Sequence, residues 1–183
     1  MNILVPLAEG FEEIEAVTII DMLRRAGHTV TTASLKNKIV TGAHSIQITA
    51  DKILTEIRFE EFGAFILPGG MPGSTNLRDH DRVMSFIQRI YAAGGIIGAV
   101  CAAPIALGRS GILDGKKFTC FPGDEKEITH SRFTNEDVTV DGKIITGRSA
   151  GVTALFTLKI IELIDGKEKA ESLQKRMFIK GDF

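Results

Sequence analysis

Two of the 183 residues are cysteines. One of them, Cys101, stands in GGIIGAVCAAPIALG (94–108), where an apolar run gives way to small residues and a proline. A thiol at such a strand–helix junction can be reactive, because helix N-termini and bare backbone N–H groups favour anionic sulfur. Ala99, Ala102 and Ala103 suit the cramped turn of a nucleophile elbow, which raises the side chain above a sheet and frees the next residue's N–H. The alternative is a small buried hydrophobe, and the placement at this turn favours the reactive role. Gly69 and Gly70 follow Pro68, where glycine lets backbone approach a ligand and aim an N–H at it. Gly70 and Ala102 together would make an oxyanion hole, although the two glycines alone also fit an ordinary tight turn. Glu12, Glu13 and Glu15 open the first helical segment. Glu12 and Glu13 read as solvated carboxylates that favour the helix dipole. Glu15, between Ile14 and Ala16, points elsewhere. Turned inward beside a thiolate, it would be raised in pKa by desolvation and like charge, and would move a proton at neutral pH.

These residues meet only if the elements carrying them share one edge. NILVPL (2–7), FGAFILPGG (62–70) and GIIGAV (95–100) are short and apolar throughout, the pattern of strands buried on both faces of a parallel sheet. Residues 12–26 carry Ile14, Val17, Ile20, Met22 and Leu23 near helical spacing and close on Gly27. HTVTTASL (28–35) then alternates like a strand, completing a βαβ unit. A small antiparallel excursion is expected over 40–50, and helices over 82–93, 103–111, 150–164 and 168–176. A strand is expected over 116–120, and a hairpin over 138–146 with a type I′ turn at Asp141-Gly142. The class is α/β, with helices covering a mostly parallel sheet. Such sheets bind ligands at the carboxyl ends of their strands, which brings AEGFEE, PGG and AVCAA together.

The remaining chemistry is sparse. Of the four histidines, His28 begins a strand away from that edge and His80 caps or precedes a helix, so both read as surface residues. His44 and His130 stay open as partners for the thiol. No cluster has metal-ligand spacing, and neither a GxGxxG nor a phosphate-binding loop is present, so no metal or cofactor is expected. Cys120 lies in an expected strand and reads as core, with a resolving role open. RSAG (148–151) either lines the pocket or caps the long helix through Ser149.

Hydrophobic residues make up 44% and charged residues 25%, with a net charge of -1. That balance fits one domain over 1–183 and gives no electrostatic reason for nucleic acid or an anionic membrane as partner. No apolar stretch reaches the roughly 18 residues of a membrane span. MNILVPLAEGFEE lacks a basic start, so no secretory leader is expected. A reducing cytoplasm is the expected compartment, and it leaves Cys101 a free thiol.

LAEGFEEIEAV, DMLRRAGHTVTTASL, LPGGMPGSTNL, GAVCAAPIAL and DGKIITGRSAG together resemble the ThiJ/PfpI superfamily of the class I glutamine amidotransferase-like fold. The likeness is nearest to the branch of the parkinsonism-associated protein deglycase and its bacterial relatives. It implies a flavodoxin-like three-layer sandwich, usually a homodimer. It also implies that Cys101 is the nucleophile, that Glu15 hydrogen-bonds its sulfur, and that Gly70 and Ala102 are the oxyanion-hole donors. Members are described as glutathione-independent glyoxalases, protein deglycases, oxidative-stress sensors and chaperones. Protease-like members carry histidine directly after the cysteine. Ala102 stands there in this chain, which argues against peptidase chemistry. Phe121 replaces a histidine that several relatives place near the sulfur, and His44 falls where some supply an arginine from the partner subunit.

Two functions share these features. One is a cofactor-free enzyme acting on methylglyoxal or glyoxal, free or as adducts on proteins. The other is a redox-sensing stress protein or chaperone that uses oxidation of Cys101 without significant turnover.

Overall fold

A strand apolar at every position must be covered on both sides. The computed structural model, which describes residues 1–183, covers three of them in this way. The chain runs β1 (Asn2–Leu7), α1 (Glu13–Arg25), β2 (Thr29–Ser34), β3 (Ile39–Thr41), β4 (Gln47–Thr49), β5 (Lys52–Ile53), β6 (Ala64–Leu67), α2 (Gly73–Arg78) and α3 (Asp81–Ala92). It continues through β7 (Ile96–Val100), α4 (Pro104–Ser110), β8 (Lys117–Phe118), β9 (Arg132–Phe133), β10 (Val138–Asp141), β11 (Ile144–Gly147), α5 (Thr153–Asp165) and α6 (Lys167–Met177).

Seven strands form one sheet in the order β10-β11-β7-β6-β1-β2-β5. Every neighbouring pair is parallel except β10–β11. Alternate residues of the central strands enter two separate cores. Ile3, Val5, Ile66 and Val100 pack with Ile19, Leu23, Phe156 and Ile160 of α1 and α5. Leu4, Phe65, Leu67, Ile97 and Ala99 pack with Phe86, Ile87, Ile105 and Leu107 of α3 and α4. The result is the three-layer α/β sandwich expected from the apolar runs. No helix is long and apolar enough to cross a membrane.

The sheet loosens where the site lies. β1 pairs with β6 only at Ile3↔Ala64 and Leu4↔Phe65, whereas its ladder with β2 runs all the way to Leu7↔Ser34. Pro6, which has no N–H to donate, lies just past the last β1–β6 pair.

Several short elements differ from the sequence reading. The helix α2, the edge strand β5 and the separate parallel pair β8–β9 are too short to carry a periodic signal. The hairpin pairs Asp141 with Ile144, so its central residues are Gly142 and Lys143. Only Gly142 has a positive φ, at 62°. That is the type II′ pattern and not the expected I′. A 3-10 turn over Ala150–Val152 precedes α5, and Ser149 makes no side-chain cap.

Phe65 is fully buried on β6 and packs edge-on against Phe86, with ring centroids 6.0 Å apart. Phe65→Ala is expected to cost about 3–5 kcal/mol, read as a lowered urea midpoint at unchanged slope.

Candidate active site

Cys101 follows β7 directly and takes φ 60°, the left-handed region that costs a non-glycine residue on the order of 1 kcal/mol or more. Three backbone bonds hold it there. Its N–H donates to the Gly147 carbonyl at 2.9 Å, its own carbonyl accepts from Phe121 N–H at 2.8 Å, and Ala103 N–H donates to Val100 at 3.0 Å. Pro104 opens α4, where its missing N–H costs nothing. This is the strand–turn–helix elbow expected from AVCAAP, and its thiol is half-buried and free.

Glu15 lies in the first turn of α1 and is fully buried. Its Oε2 accepts a 2.6 Å hydrogen bond from Gly69 N–H, its carboxyl lies beside the Cys101 thiol and shifts it, and Oε1 has no partner. Helix and loop are tied by Glu12 N–H donating to the Gly69 carbonyl at 2.8 Å. A Cβ on Gly69 would lie 2.8 Å from both the Cys101 Cβ and Glu15 Oε2, so only glycine fits between the two reactive groups. Gly70 has φ +92°, and a Cβ there would strike the backbone of Gly10 and Phe11. The N–H groups of Gly70 and Ala102 both face the sulfur. All four residues expected at the site are therefore brought together.

The electrostatics qualify the expectation of an easily ionised thiol. Burial lifts Glu15 from an ordinary 4.5 to about 7, opposed by the bonds from Gly69 and Cys101. Burial, then the Glu15 charge and its hydrogen bond, push the Cys101 thiol up to about 12, against the N–H groups of Ala102 and Gly70. The helix end and the two donors do not by themselves make a thiolate. Two of the three raising causes exist only while Glu15 is ionised. A protonated Glu15 reverses them, because it then donates to sulfur and brings no like charge. Between about pH 7 and 12 the pair therefore holds one negative charge and one proton, and below about 7 it holds both protons.

The surrounding residues correct other expectations. Glu13 is not solvated. It is buried, with Oε1 accepting from the N–H groups of His44 and Ile46 at 2.7 and 3.2 Å and Oε2 facing His44 Nδ1 at 3.0 Å. Burial alone would raise its pKa, yet these bonds hold it below the usual range. Glu13 thereby pins the β3–β4 loop to the start of α1. Spacing gave no sign of this, since 31 residues separate Glu13 from His44. Together with Glu12 the two offer three possible metal-ligand atoms within 4.8 Å of one another, a grouping that spacing also hid. His44 is thus engaged by carboxylates. The His130 carbonyl accepts from Gly115 N–H, at the end of β8 opposite the Phe121 contact with Cys101. His28 is buried, contrary to a surface role, 3.3 Å from Asp165. Cys120 is fully buried and free, as expected for core.

A nucleophile elbow at the carboxyl edge of a parallel sheet, faced by a buried acid and two N–H groups, defines a class of cysteine-centred α/β proteins. The chain belongs to the DJ-1/PfpI family, whose model matches residues 1–163. It is 39% identical over 92% of its length to Protein DJ-1 homolog B of Arabidopsis thaliana, but spans only 39% of that longer protein. It is 32% identical to the glutathione-independent glyoxalase DJR-1.2 of Caenorhabditis elegans, covering 91% of this chain and 90% of the relative. Among solved structures it is similar to oxidized Toxoplasma gondii DJ-1, with TM-score 0.93, 34% identity and 97% of each chain covered.

The raised Glu15 pKa has a sign. The folded chain holds this proton more tightly than the unfolded chain, so stability present below pH 4.5 is lost as pH rises to about 7. Glu15→Gln removes that loss. Relative to Glu15→Gln, the wild type is expected to lose about 3 kcal/mol across this interval and no more above it, measured by denaturation at a series of pH values.

Proposed function

We propose that the chain is a cofactor-free, Cys101-dependent enzyme converting methylglyoxal or glyoxal, free or as adducts on protein side chains, to 2-hydroxy acids. The observation that carries this reading is the fully buried Glu15 carboxyl set against Cys101 across Gly69, its pKa held up at about 7. A pKa in that range suits a group that both gives and takes a proton at neutral pH.

Sulfur attacks the aldehyde carbon and forms a C–S bond, and the carbonyl oxygen takes up a proton to give a hemithioacetal. The N–H groups of Gly70 and Ala102 stand where they stabilise negative charge on sulfur, or on an oxygen bound beside it. Glu15 removes the proton from the former aldehyde carbon while the neighbouring carbonyl oxygen takes one up, giving an enediol. It then returns the proton to the neighbouring carbon as the first hydroxyl loses its own, leaving a thioester on Cys101. Water cleaves the thioester, releasing the hydroxy acid and restoring the thiol. The glyoxalase activity named for the nematode relative supports this chemistry. Ala102 in the position after the nucleophile offers no imidazole for peptide hydrolysis.

A second reading rests on the same donors. Two N–H groups and an acid around one sulfur would also hold a sulfinate, and the Toxoplasma relative was solved in an oxidized form. Peroxide treatment followed by intact-mass measurement separates the readings. Two oxygens gained at Cys101 with negligible aldehyde turnover favours sensing.

We also infer a homodimer. Ile14 and Val17 of α1 are 62% and 50% exposed, and Ile46, which Glu13 draws to the start of that helix, is 56% exposed. An exposed apolar face of this kind suits a partner surface. Val17→Asp is expected to give monomers in light scattering, and a wild-type monomer would remove the inference.

For the enzyme itself, purified protein with methylglyoxal is expected to yield lactate. Cys101→Ala abolishes the yield, and Glu15→Ala lowers kcat about 100-fold or more. Full activity in Cys101→Ala contradicts the mechanism.

A further inference from the structure

A cavity of about 440 Å³ opens at the carboxyl ends of β1 and β2, and neither Cys101 nor Glu15 lines it. Its volume lies in the range of small-ligand pockets, about 300–1,000 Å³, and strand ends of a parallel sheet are where α/β proteins receive ligands. Leu7 and Val40, both buried, form an apolar floor.

Two buried polar groups there lack good partners. Ser34 is fully buried, and its hydroxyl reaches only the Lys52 carbonyl, at 3.5 Å. His80 lines the cavity, and its Nδ1 is buried with no partner. A buried polar atom left unpaired is costly, and a turn of the His80 ring about its side-chain bonds would bring a ring nitrogen to a ligand in the cavity.

The charges on the rim narrow the ligand further. Asp79 is engaged on both oxygens by Arg78, at 2.8 and 3.0 Å. Glu9 gives Oε2 to Thr41 N–H at 3.1 Å and keeps its second oxygen. Lys36, beside Asn37, supplies the opposing ammonium. A pure anion would meet Glu9, and a pure cation would meet Lys36. A molecule carrying both charges suits both.

We propose that this cavity binds a small zwitterion of the α-amino-acid class. The carboxylate faces Lys36, Asn37 and His80, the ammonium faces Glu9, and an apolar side chain rests on Leu7 and Val40. The Glu9 carbonyl accepts from Asn76 Nδ2 at 2.9 Å, so the ligand sits against the same loop that continues to Gly10 and Glu12 beside Gly70.

The test is an amide-shift titration of the isotope-labelled full chain with L-leucine, N-acetyl-L-leucine and L-leucinamide. Saturable shifts are expected at Leu35, Lys36, Asn37 and His80 with leucine. Loss of either charge weakens binding about tenfold or more. Lys36→Gln should abolish the preference for leucine over leucinamide, and Glu9→Gln the preference for leucine over N-acetyl-leucine. No saturable shift up to the solubility limit of leucine overturns the proposal. So do equal affinities for all three compounds, or shifts confined to residues around Cys101.

Discussion

A carboxyl group and a thiol buried side by side cannot both carry charge cheaply, because each desolvates and repels the other. Glu15 and Cys101 are placed in that relation, with one backbone donor on the acid and two facing the sulfur. Glu15 therefore gains and loses its proton near neutrality, and on the proposed mechanism the atom that holds the remaining proton decides whether the sulfur attacks. The two N–H groups matter most once Glu15 is protonated, since they then face an anion with no competing charge beside it. A water-exposed acid at the same distance would ionise at its usual pH and hold the thiol neutral.

The fold keeps this pair in register through backbone. Cys101 is held in a left-handed conformation by its own bonds to Gly147 and Phe121 and by Ala103 N–H donating across it to the Val100 carbonyl. Gly69 leaves room for sulfur and carboxyl to meet, and Gly70 turns an N–H toward them at a φ that other residues resist. β1–β6 pairing ends at Leu4, and from the first turn of α1 Glu15 reaches the loop after β6, where it accepts from Gly69 N–H. Glu13, two residues earlier, fastens that turn to the β3–β4 loop, so both ends of the helix start are held. Two glutamates separated by Ile14 thus sit in unlike surroundings: buried Glu13 anchors backbone, and buried Glu15 lies against Cys101.

Much of this was legible in the sequence. Continuous apolar runs at 2–7, 62–70 and 95–100 could be satisfied only by burial on both faces, and so implied the parallel sheet and its functional edge. AVCAAP announced the elbow because small residues and an N-terminal proline suit nothing else so well. Glu15 was separable from Glu12 by its apolar neighbours, but the burial of Glu13 was not, because its partners His44 and Ile46 lie far along the chain. His28 misled in the same way, since its burial against Asp165 depends on the last turn of α5. The thiol's difficulty in ionising was also hidden. Spacing shows a helix end near sulfur, but not how far burial and a neighbouring acid outweigh it. Short elements such as α2, β5 and β9 exist through tertiary contact and carry no period of their own.

The shared proton can be observed directly. Infrared difference spectra of wild type against Glu15→Gln isolate the carboxylic-acid C=O band of residue 15, which is then followed with pH. The band is expected to persist through the ordinary carboxylate range and to vanish near pH 7. Its disappearance near pH 4.5 would place an ordinary carboxylate beside Cys101, already ionised throughout the neutral range and with no proton to give or take there.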